Sequence, residues 1–324
     1  MNNRIVLIGD ENSKRYEYFK KACDEFDIDF TFMNYNNIKL KQGDVVKIDP
    51  ISIDSYNISD MNSIINNYQN ILKNLNNYNN IKFLNSPDNI MLCMDKYRCK
   101  KNIDMDLCTY MYDKFFKNAD ELFLYLTENK INAIFIKPRY GSGATGIIAL
   151  KWNYVQQKAI AYTTVYNHKN HFYNTKNINR IYDIDIIKNI INFVLNMGSI
   201  IEKWIPKKRY KNLYYDIRAV IVNKKLISLI PRASNSPITN LHINNMALDD
   251  SIISNFDDIE IFCNKIMDYF PNMIYAGIDI LITENNKLFL IEINAQGDAI
   301  YKDFYDNNSI YKEQINIMRR LANE

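Results

Sequence analysis

The sequence predicts a mixed α/β protein, and three observations lead to that prediction. The chain of 324 residues is long enough for about two domains, or for one large domain with an accessory lobe. Its hydrophobic content of 47% and its charged content of 24% are ordinary for a packed globular chain. Short apolar segments with strand character alternate with segments whose apolar residues recur every three or four positions, which is the spacing of amphipathic helices.

The first 86 residues are predicted to form a small α/β unit. Strands are predicted at residues 5–8, 30–32 and 45–48, and a helix over 13–26, where apolar side chains recur at helical spacing. The segment 62–80 is rich in asparagine, but its apolar residues also return at three- and four-residue steps. A second amphipathic helix is therefore predicted there rather than a low-complexity segment.

Beyond a turn at Ser86–Asp88, helices and strands are expected to continue to the end of the chain. The predicted helices span residues 90–101, 120–129, 183–196, 257–270 and 310–321. The predicted strands span residues 131–137, 147–152, 162–166, 199–205, 215–222, 226–231, 276–283 and 287–294. The polar stretch 155–179 is predicted to hold only one short strand, with His168 and His171 in a polar loop.

The composition excludes several classes of protein. Forty basic and 37 acidic side chains leave a net charge of +3 with no block of like charge, which gives no indication of nucleic-acid binding. No apolar stretch approaches the ~18 uncharged residues that a membrane span needs, and the N-terminal residues run directly into a predicted strand, without a secretory signal. The five cysteines are odd in number and include no C-x-x-C pair, so free thiols in a reducing cytoplasm are expected.

A cluster of glycines marks a candidate phosphate-binding turn. The chain has eight glycines, and Gly141, Gly143 and Gly146 fall within six residues, in the pattern G-x-G-x-x-G. A dinucleotide-binding unit would open a helix here and would need an acidic residue ~20 positions later. This turn is followed by a predicted strand, and no acidic residue occurs before Asp183. A P-loop would have lysine where Ile147 stands, so the Rossmann and P-loop interpretations are both excluded.

What remains is a glycine flap between two strands, whose backbone N–H groups can close over phosphates. Protein kinases use such a flap, but the H-R-D and D-F-G signatures are absent from this sequence. Lys137, on the strand that enters the flap, can place its ammonium group beside nucleotide phosphates. Taken alone, the motif leaves open a plain glycine-rich hairpin with a surface lysine.

A second constellation lies near the C-terminus. Asp279 interrupts one apolar strand, Glu292 and Asn294 interrupt the next, and residues 283–287 form a natural hairpin turn between them. Residues two apart in a strand share a face, and a hairpin can bring the aspartate beside the other two. Unpaired burial of three such oxygen donors would be costly, whereas Mg²⁺ is bound by one or two carboxylates together with nucleotide phosphates. The alternative is that these three residues face solvent on an edge hairpin. The residues that flank them on both strands are uniformly apolar, which argues against this alternative.

These features occur in a fixed order: the flap lysine, a D-I-R strand at Asp216–Arg218, and then the Asp and Glu-x-Asn hairpin. The order resembles the ATP-grasp superfamily, in particular its glutathione synthetase and ribosomal-protein glutamate ligase branch, over roughly residues 86–298. The resemblance implies an ATP-grasp fold with an N-terminal α/β domain at 1–86, a central lid domain at 87–198 and a C-terminal domain at 199–324. ATP would bind between the last two domains.

The resemblance also implies roles for individual residues. Those expected to bind the nucleotide are Lys96, Lys137, Ser142, Gly143, Ala144, Glu202, Lys203, Trp204, Ile205, Asp216 and Asn240. The metal that the resemblance implies is Mg²⁺, with Mn²⁺ as the alternative. The residues expected to bind it are Asp279, Glu292 and Asn294. Arg218 and Arg232 are expected to be catalytic. The basic run 207–211 follows the expected hinge and is predicted to be a solvated loop, with contact to an acidic substrate as the alternative.

The implied activity is the ATP-dependent joining of a carboxylate to an amine through an acylphosphate, with release of ADP and phosphate. The expected partners are a small-molecule or peptide carboxylate and an amine. Neither nucleic acid nor a membrane is expected as a partner, and assembly into a homo-oligomer is left open. Two alternatives are an ATP-grasp kinase of a non-carboxylate acceptor and a non-catalytic nucleotide-binding or partner-binding protein. Ile238 stands where the family often has arginine, and Gln296 where it has proline, so the substrate stays undefined.

Overall fold

The computed structural model describes residues 3–51, 57–169, 171–241, 243 and 245–324 of the chain. Its strands are β1 (Ile5–Gly9), β2 (Thr31–Asn34), β3 (Val45–Ile48), β4 (Lys82–Phe83), β5 (Met111–Tyr112), β6 (Ala133–Pro138), β7 (Ile148–Asn153), β8 (Lys158–His168), β9 (His171–Ile181), β10 (Ser199–Lys203), β11 (Arg209–Tyr210), β12 (Leu213–Val222), β13 (Lys225–Ser234), β14 (Met246–Ala247), β15 (Tyr275–Ile282) and β16 (Leu288–Asn294). Its α-helices are α1 (Lys14–Glu25), α2 (Met61–Leu75), α3 (Pro87–Met94), α4 (Lys96–Lys101), α5 (Ala119–Glu128), α6 (Ile184–Asn196), α7 (Phe256–Met267), α8 (Tyr301–Asp306) and α9 (Ser309–Asn323). The predicted mixed α/β class is confirmed.

The N-terminal part of the chain folds into a parallel sheet, the first sheet, with strand order β2-β1-β3-β4. All five residues of β1 are buried, as expected for a central strand that is covered on both faces. Helix α1 begins after Ser13, whose side chain accepts a hydrogen bond from the backbone N–H of Tyr16 at 3.2 Å. It packs against α9, so the two ends of the chain meet.

The central sheet has strand order β5-β10-β6-β7-β8-β9, and every neighbouring pair is antiparallel. The loop prediction for His168 and His171 is wrong, because these residues pair at the end of the long β8–β9 hairpin. The second strand of this hairpin forms an edge of the sheet, where polar side chains remain solvated and an apolar alternation is not needed. Strand β10 belongs to this sheet although the predicted boundary at residue 199 assigns it to the C-terminal domain. The three domain ranges stay predictions.

The C-terminal sheet is antiparallel, with strand order β14-β13-β12-β15-β16. It shares a hydrophobic core with the first sheet, in which Val6 and Ile8 lie in one cluster with Ile217 and Ile278. Asn85 also connects the first sheet with the C-terminal sheet. Its side chain donates a hydrogen bond to the Tyr275 carbonyl at 2.8 Å and accepts one from the backbone N–H of Ile274 at 2.8 Å.

Helix α2 contributes to two different cores. Met61 and Ile65, near its N-terminal end, are buried among residues of the central sheet and its covering helices. Tyr68 and Leu72, further along the same helix, are buried in the core that the first and C-terminal sheets share. The helix ends at Leu75, earlier than the predicted range of 62–80. One helix thus connects the central sheet with the other two.

The helical prediction for residues 90–101 is wrong at one position, Asp95, where the chain breaks into α3 and α4. The backbone of Asp95 is extended (φ −93°, ψ 93°), and its side chain accepts a hydrogen bond from the backbone N–H of Arg98 at 3.1 Å, which caps α4. The same carboxylate forms an ion pair with Arg139 at 2.6 Å. The break lets α4 start with Lys96 at the edge of the cleft described below.

All five cysteines are free, as the sequence predicts, and all five are buried. Among the residues whose structure is described, none of the helices combines the length and the apolar character needed to cross a membrane.

Candidate active site

Five charged side chains stand on one face of the C-terminal sheet. Within the ladder, Asp216 lies opposite Arg232, Arg218 opposite Asp279, and Asp279 opposite Glu292. Directly opposed residues of antiparallel strands point to the same side of a sheet, and so do residues two apart along one strand. We call these five residues the charged face. Asp279 is only 5% exposed, so it does not occupy a solvent-facing position of an edge hairpin.

The charged face forms one wall of a cleft whose other wall is the central sheet. Residues from both walls line the same pocket: Lys96, Thr109, Phe135, Lys137, Pro138, Gly141, Ser142, Ala144, Thr145, Ile147, Glu202, Lys203, Ile205, Lys207, Asp216, Arg232, Pro237, Ile238, Thr239, Asn240, Asp279, Leu281, Ile291 and Glu292. The lining therefore combines apolar side chains with cationic and anionic ones. Such a pocket suits a ligand with one apolar end and one multiply charged end.

Asp216 is the centre of a buried polar network on the charged face. Its carboxylate accepts from Arg232 Nε at 2.8 Å and from Lys207 Nζ at 2.9 Å, and it also accepts a hydrogen bond from the Thr239 hydroxyl. Burial alone would raise the pKa of Asp216, but the charges of Arg232 and Lys207 outweigh burial and lower that pKa to about 2. The carboxylate thus stays ionised and holds both cations in place.

The prediction of a solvated loop for the run 207–211 is wrong at Lys207. The side chain of Lys207 is only 10% exposed, because its ammonium group lies between Asp216 and Thr239. A buried lysine requires such partners. The other residues of the run stay outside the pocket lining.

A second buried network surrounds Glu202 on the central sheet. Lys100 Nζ lies 2.6 Å from one carboxylate oxygen, and Lys137 Nζ lies 2.7 Å from the other, which also accepts from the Thr109 hydroxyl at 3.0 Å. Burial would raise the pKa of Glu202, but the two ammonium groups lower it to about 2. Sequence reasoning missed Lys100, although it stands four residues after Lys96 on one helix, which is the spacing of side chains that share a helix face.

Lys96 joins the two walls of the cleft. Its ammonium group donates to the carbonyl oxygen of Gly141 at 2.5 Å and lies 3.4 Å from a carboxylate oxygen of Glu292. One cation therefore touches both the glycine turn and the carboxylate hairpin, the two motifs that the sequence singled out independently.

The glycine loop, residues 139–147, connects β6 and β7, so the predicted strand–turn–strand arrangement is confirmed. Gly141 has a φ of +114°, and a Cβ atom there would lie 2.6 Å from the sulfur of Met61, so the position requires glycine. The loop is held from behind by strand β8, where the Thr164 hydroxyl donates to the Ala144 carbonyl at 2.8 Å. The Thr163 hydroxyl likewise donates to the Ile147 carbonyl at 2.7 Å.

Most of the residues predicted for the site line the pocket, and four do not: Gly143, Trp204, Arg218 and Asn294. The ring of Trp204 packs against Phe135, with the ring centroids 5.1 Å apart. Arg218 contacts the pocket-lining residue Asp279 instead, with its Nε 2.6 Å from that carboxylate. The individual roles of the predicted residues stay predictions.

The donor set at the carboxylate hairpin fits a hard divalent cation. Asp279 and Glu292 are opposed across β15 and β16, and Asn294 lies two residues further on the same strand, opposite Gly277. All three offer oxygen ligands, which Mg²⁺ and Mn²⁺ prefer. Over the described part of the chain there is no group of three His, Cys, Asp or Glu residues suited to a metal ion. A metal here would thus need the asparagine and further oxygens from a bound ligand.

Comparison with known proteins shows similarity in sequence and in fold. Residues 175–315 match a family model described as a RimK-like ATP-grasp domain. The tetrahydromethanopterin:alpha-L-glutamate ligase of Methanococcus maripaludis is 26% identical over 225 residues, which are 69% of this chain. The matched region spans 64% of that ligase, which is less than two thirds of its length.

Several solved structures have a similar fold. D-cycloserine synthetase DcsG has a TM-score of 0.64 at 9% identity, covering 98% of this chain and 100% of its own. The ATP-grasp ligase PsnB, complexed with a minimal precursor, has a TM-score of 0.60 at 10% identity, covering 99% of this chain and 100% of its own. The macrocyclase MdnC, bound with the precursor peptide MdnA from Microcystis aeruginosa MRC, has a TM-score of 0.60 at 12% identity, covering 99% and 100%. Residues 175–315 are therefore similar to a RimK-like ATP-grasp domain, the fold of the chain is similar to that of the ATP-grasp ligases, and the predicted resemblance to the ATP-grasp superfamily is confirmed.

Proposed function

We propose that the protein is an ATP-dependent carboxylate–amine ligase, which activates a carboxylate as an acylphosphate and joins it to an amine. One observation carries the proposal: the charged face and the lysines of the central sheet enclose one pocket, with the glycine loop at its edge. The similarity to a glutamate ligase and to ATP-grasp ligases supports it. ATP has the ligand shape that this pocket suits, since it combines an apolar base with a polyanionic triphosphate.

We assign the apolar part of the pocket to the base and the cationic part to the phosphates. The strand end and hinge residues Glu202, Lys203 and Ile205 line the pocket, as do Leu281 and Ile291. Lys96 and Lys137 would meet the α- and β-phosphates, and the backbone N–H groups of residues 142–144 would cover them. Asn240 stands at the phosphate end of the lining, beside Thr239 of the Asp216 network.

Asp279, Glu292 and Asn294 would hold the metal ion. When bound, Mg²⁺ or Mn²⁺ offsets the negative charge of the β- and γ-phosphates. Each of the two carboxylates also has a cation partner within the chain, Arg218 for Asp279 and Lys96 for Glu292, which keeps both of them oriented into the cleft.

The chemistry then requires positioning and neutralisation of charge rather than a side-chain nucleophile. An oxygen of the substrate carboxylate bonds to the γ-phosphorus as the bond from that phosphorus to ADP breaks. The amine nitrogen next bonds to the acyl carbon, phosphate leaves with the former carboxylate oxygen, and the nitrogen loses a proton. We assign Arg218 and Arg232 to the charge that develops in these steps. Arg232 is buried within 3.2 Å of Asp279 and is fixed by Asp216.

The relatives indicate the range of acceptors to examine. The name of one includes a small pterin and glutamate, whereas two of the solved ligases hold a precursor or a precursor peptide. We therefore propose a small-molecule or peptide carboxylate and an amine as the two substrates. The need for ATP and the five free thiols favour a cytoplasmic location.

The proposal is tested by a screen for ADP release with ATP, Mg²⁺ and pools of carboxylates and amines, followed by mass spectrometry of the products. A ligase gives a product whose mass is the sum of the two substrates less one water, together with free phosphate. A kinase would instead give a phosphorylated acceptor. Binding of the non-hydrolysable analogue AMP-PNP without ADP release in any pool would favour a non-catalytic nucleotide-binding protein.

The glycine loop offers a test that needs no acceptor. We expect AMP-PNP with Mg²⁺ to slow amide hydrogen exchange across residues 137–147, because ligand contacts would restrict the opening of this loop. The measurement is hydrogen–deuterium exchange followed by mass spectrometry, with helix α9 as the internal control whose exchange stays unchanged. Equal exchange of the loop with and without nucleotide would contradict a phosphate-covering role.

A further inference from the structure

Lys100 is a buried lysine that neither lines the nucleotide pocket nor belongs to the predicted site. It stands one helical turn behind Lys96 on α4, and it is only 6% exposed. Its ammonium group lies 2.6 Å from Glu202 Oε1 and donates to the carbonyl oxygen of Thr109 at 3.1 Å. A buried ammonium group is costly unless it has such partners. The position of this ammonium group therefore depends on Glu202 and Thr109.

Glu202 is shared between two lysines that differ in position. Lys137 lines the pocket, and its Nζ lies 2.7 Å from Glu202 Oε2. Lys100 pairs with Glu202 Oε1 and does not line the pocket. The carboxylate is only 2% exposed, so water contributes little to its charge balance. The three groups together carry a net charge of +1, and that excess faces the pocket through Lys137.

We infer that Lys100 is a positioning residue that balances the charge of Glu202, so that the ammonium group of Lys137 is available to a nucleotide phosphate. The inference rests on the proposed function, because it takes the ligand of Lys137 to be a phosphate. Without Lys100, Glu202 and Lys137 neutralise each other, and a phosphate must compete with a buried carboxylate for the same ammonium group. Burial lowers the pKa of Lys100 and outweighs the opposing charge of Glu202, so this ammonium group needs that carboxylate beside it to stay charged.

The experiment measures the binding of AMP-PNP with Mg²⁺ by isothermal titration calorimetry. We expect Lys100→Met to weaken binding about tenfold, the size typical of coupling between contacting charges. Adding Glu202→Gln to this variant removes the carboxylate that retains Lys137, so the double variant is expected to recover most of the loss. Lys101→Met is the matched control, because Lys101 lies on the same helix but pairs with Asp113 at the surface.

A purely structural role for Lys100 predicts a different pattern, in which the second substitution adds to the loss. Lys100→Met binding as tightly as the unmodified protein, or a double variant that binds no better than Lys100→Met, would overturn the inference. If the single variant does not fold, Lys100→Gln carries the same expectation, because its amide group can still donate to Thr109. If the unmodified protein does not bind AMP-PNP, the proposed function fails together with the inference. If it binds AMP-PNP and only the expected behaviour of the Lys100 variants is missing, the inference alone fails.

Discussion

Replacing Glu292 with glutamine is expected to reduce turnover by about 10²–10³-fold or more while leaving the fold intact. The carboxylate is one of two acidic ligands proposed for the metal, and the substitution removes its charge without changing its shape. Glu292 is 24% exposed, and its contact with Lys96 is 3.4 Å long, so its loss leaves no buried charge unpaired. The measurement is ADP release with the substrates that the product screen identifies, together with thermal unfolding of the variant.

Glu128→Gln provides the control for this substitution. Glu128 ends helix α5 on the exposed surface and takes no part in the pocket lining, so full activity is expected there. The assignment of Glu292 fails if Glu292→Gln turns over at the rate of the unmodified protein. It fails equally if the variant unfolds, since the residue would then have a structural role that the geometry does not show.

Replacing Asp216 with asparagine is expected to lower the free energy of unfolding by about 3–5 kcal/mol. The substitution removes the carboxylate that compensates the buried Lys207 and that shares the buried Arg232 with Asp279. It also weakens the hydrogen bond from Thr239, which anchors the loop that carries Asn240. Urea unfolding followed by circular dichroism measures the change, and AMP-PNP binding measures the loss of order at the phosphate end.

Asp268→Asn is the comparison for this prediction. Asp268 forms an ion pair with Lys224 of almost the same length, 2.9 Å, but both side chains are more than half exposed. Exposed pairs contribute roughly 0–1 kcal/mol, so the change in stability should be small. Equal losses in the two variants would mean that burial of the Asp216 network contributes nothing.

The strands and helices with strong apolar periodicity could be predicted from the sequence, whereas those that depend on neighbours could not. Strand β15 is apolar except at Asp279, and its prediction differs from the structure by one residue at each end. Strand β9 has no such pattern, because its position at a sheet edge lets its side chains remain polar. The break at Asp95 was accessible in principle, since aspartate favours the cap position before a helix.

The candidate site shows the same division. The carboxylate hairpin could be predicted because strand alternation alone brings Asp279 and Glu292 to one face. The burial of Lys100 and Lys207 could not, because each depends on an acidic partner on a distant strand. The spacing of a lysine along the chain carries no information about such a partner.

Helix α2 links the packing of the central sheet to the packing of the other two sheets. Because Met61 and Ile65 are buried with the central sheet and Tyr68 and Leu72 with the shared core, swinging the central sheet outward would pull one end of this helix from its packing. Exposing two such side chains costs about 3–6 kcal/mol. The proposed nucleotide is therefore expected to enter through displacement of the glycine loop alone, while the central sheet keeps its position relative to the other two sheets.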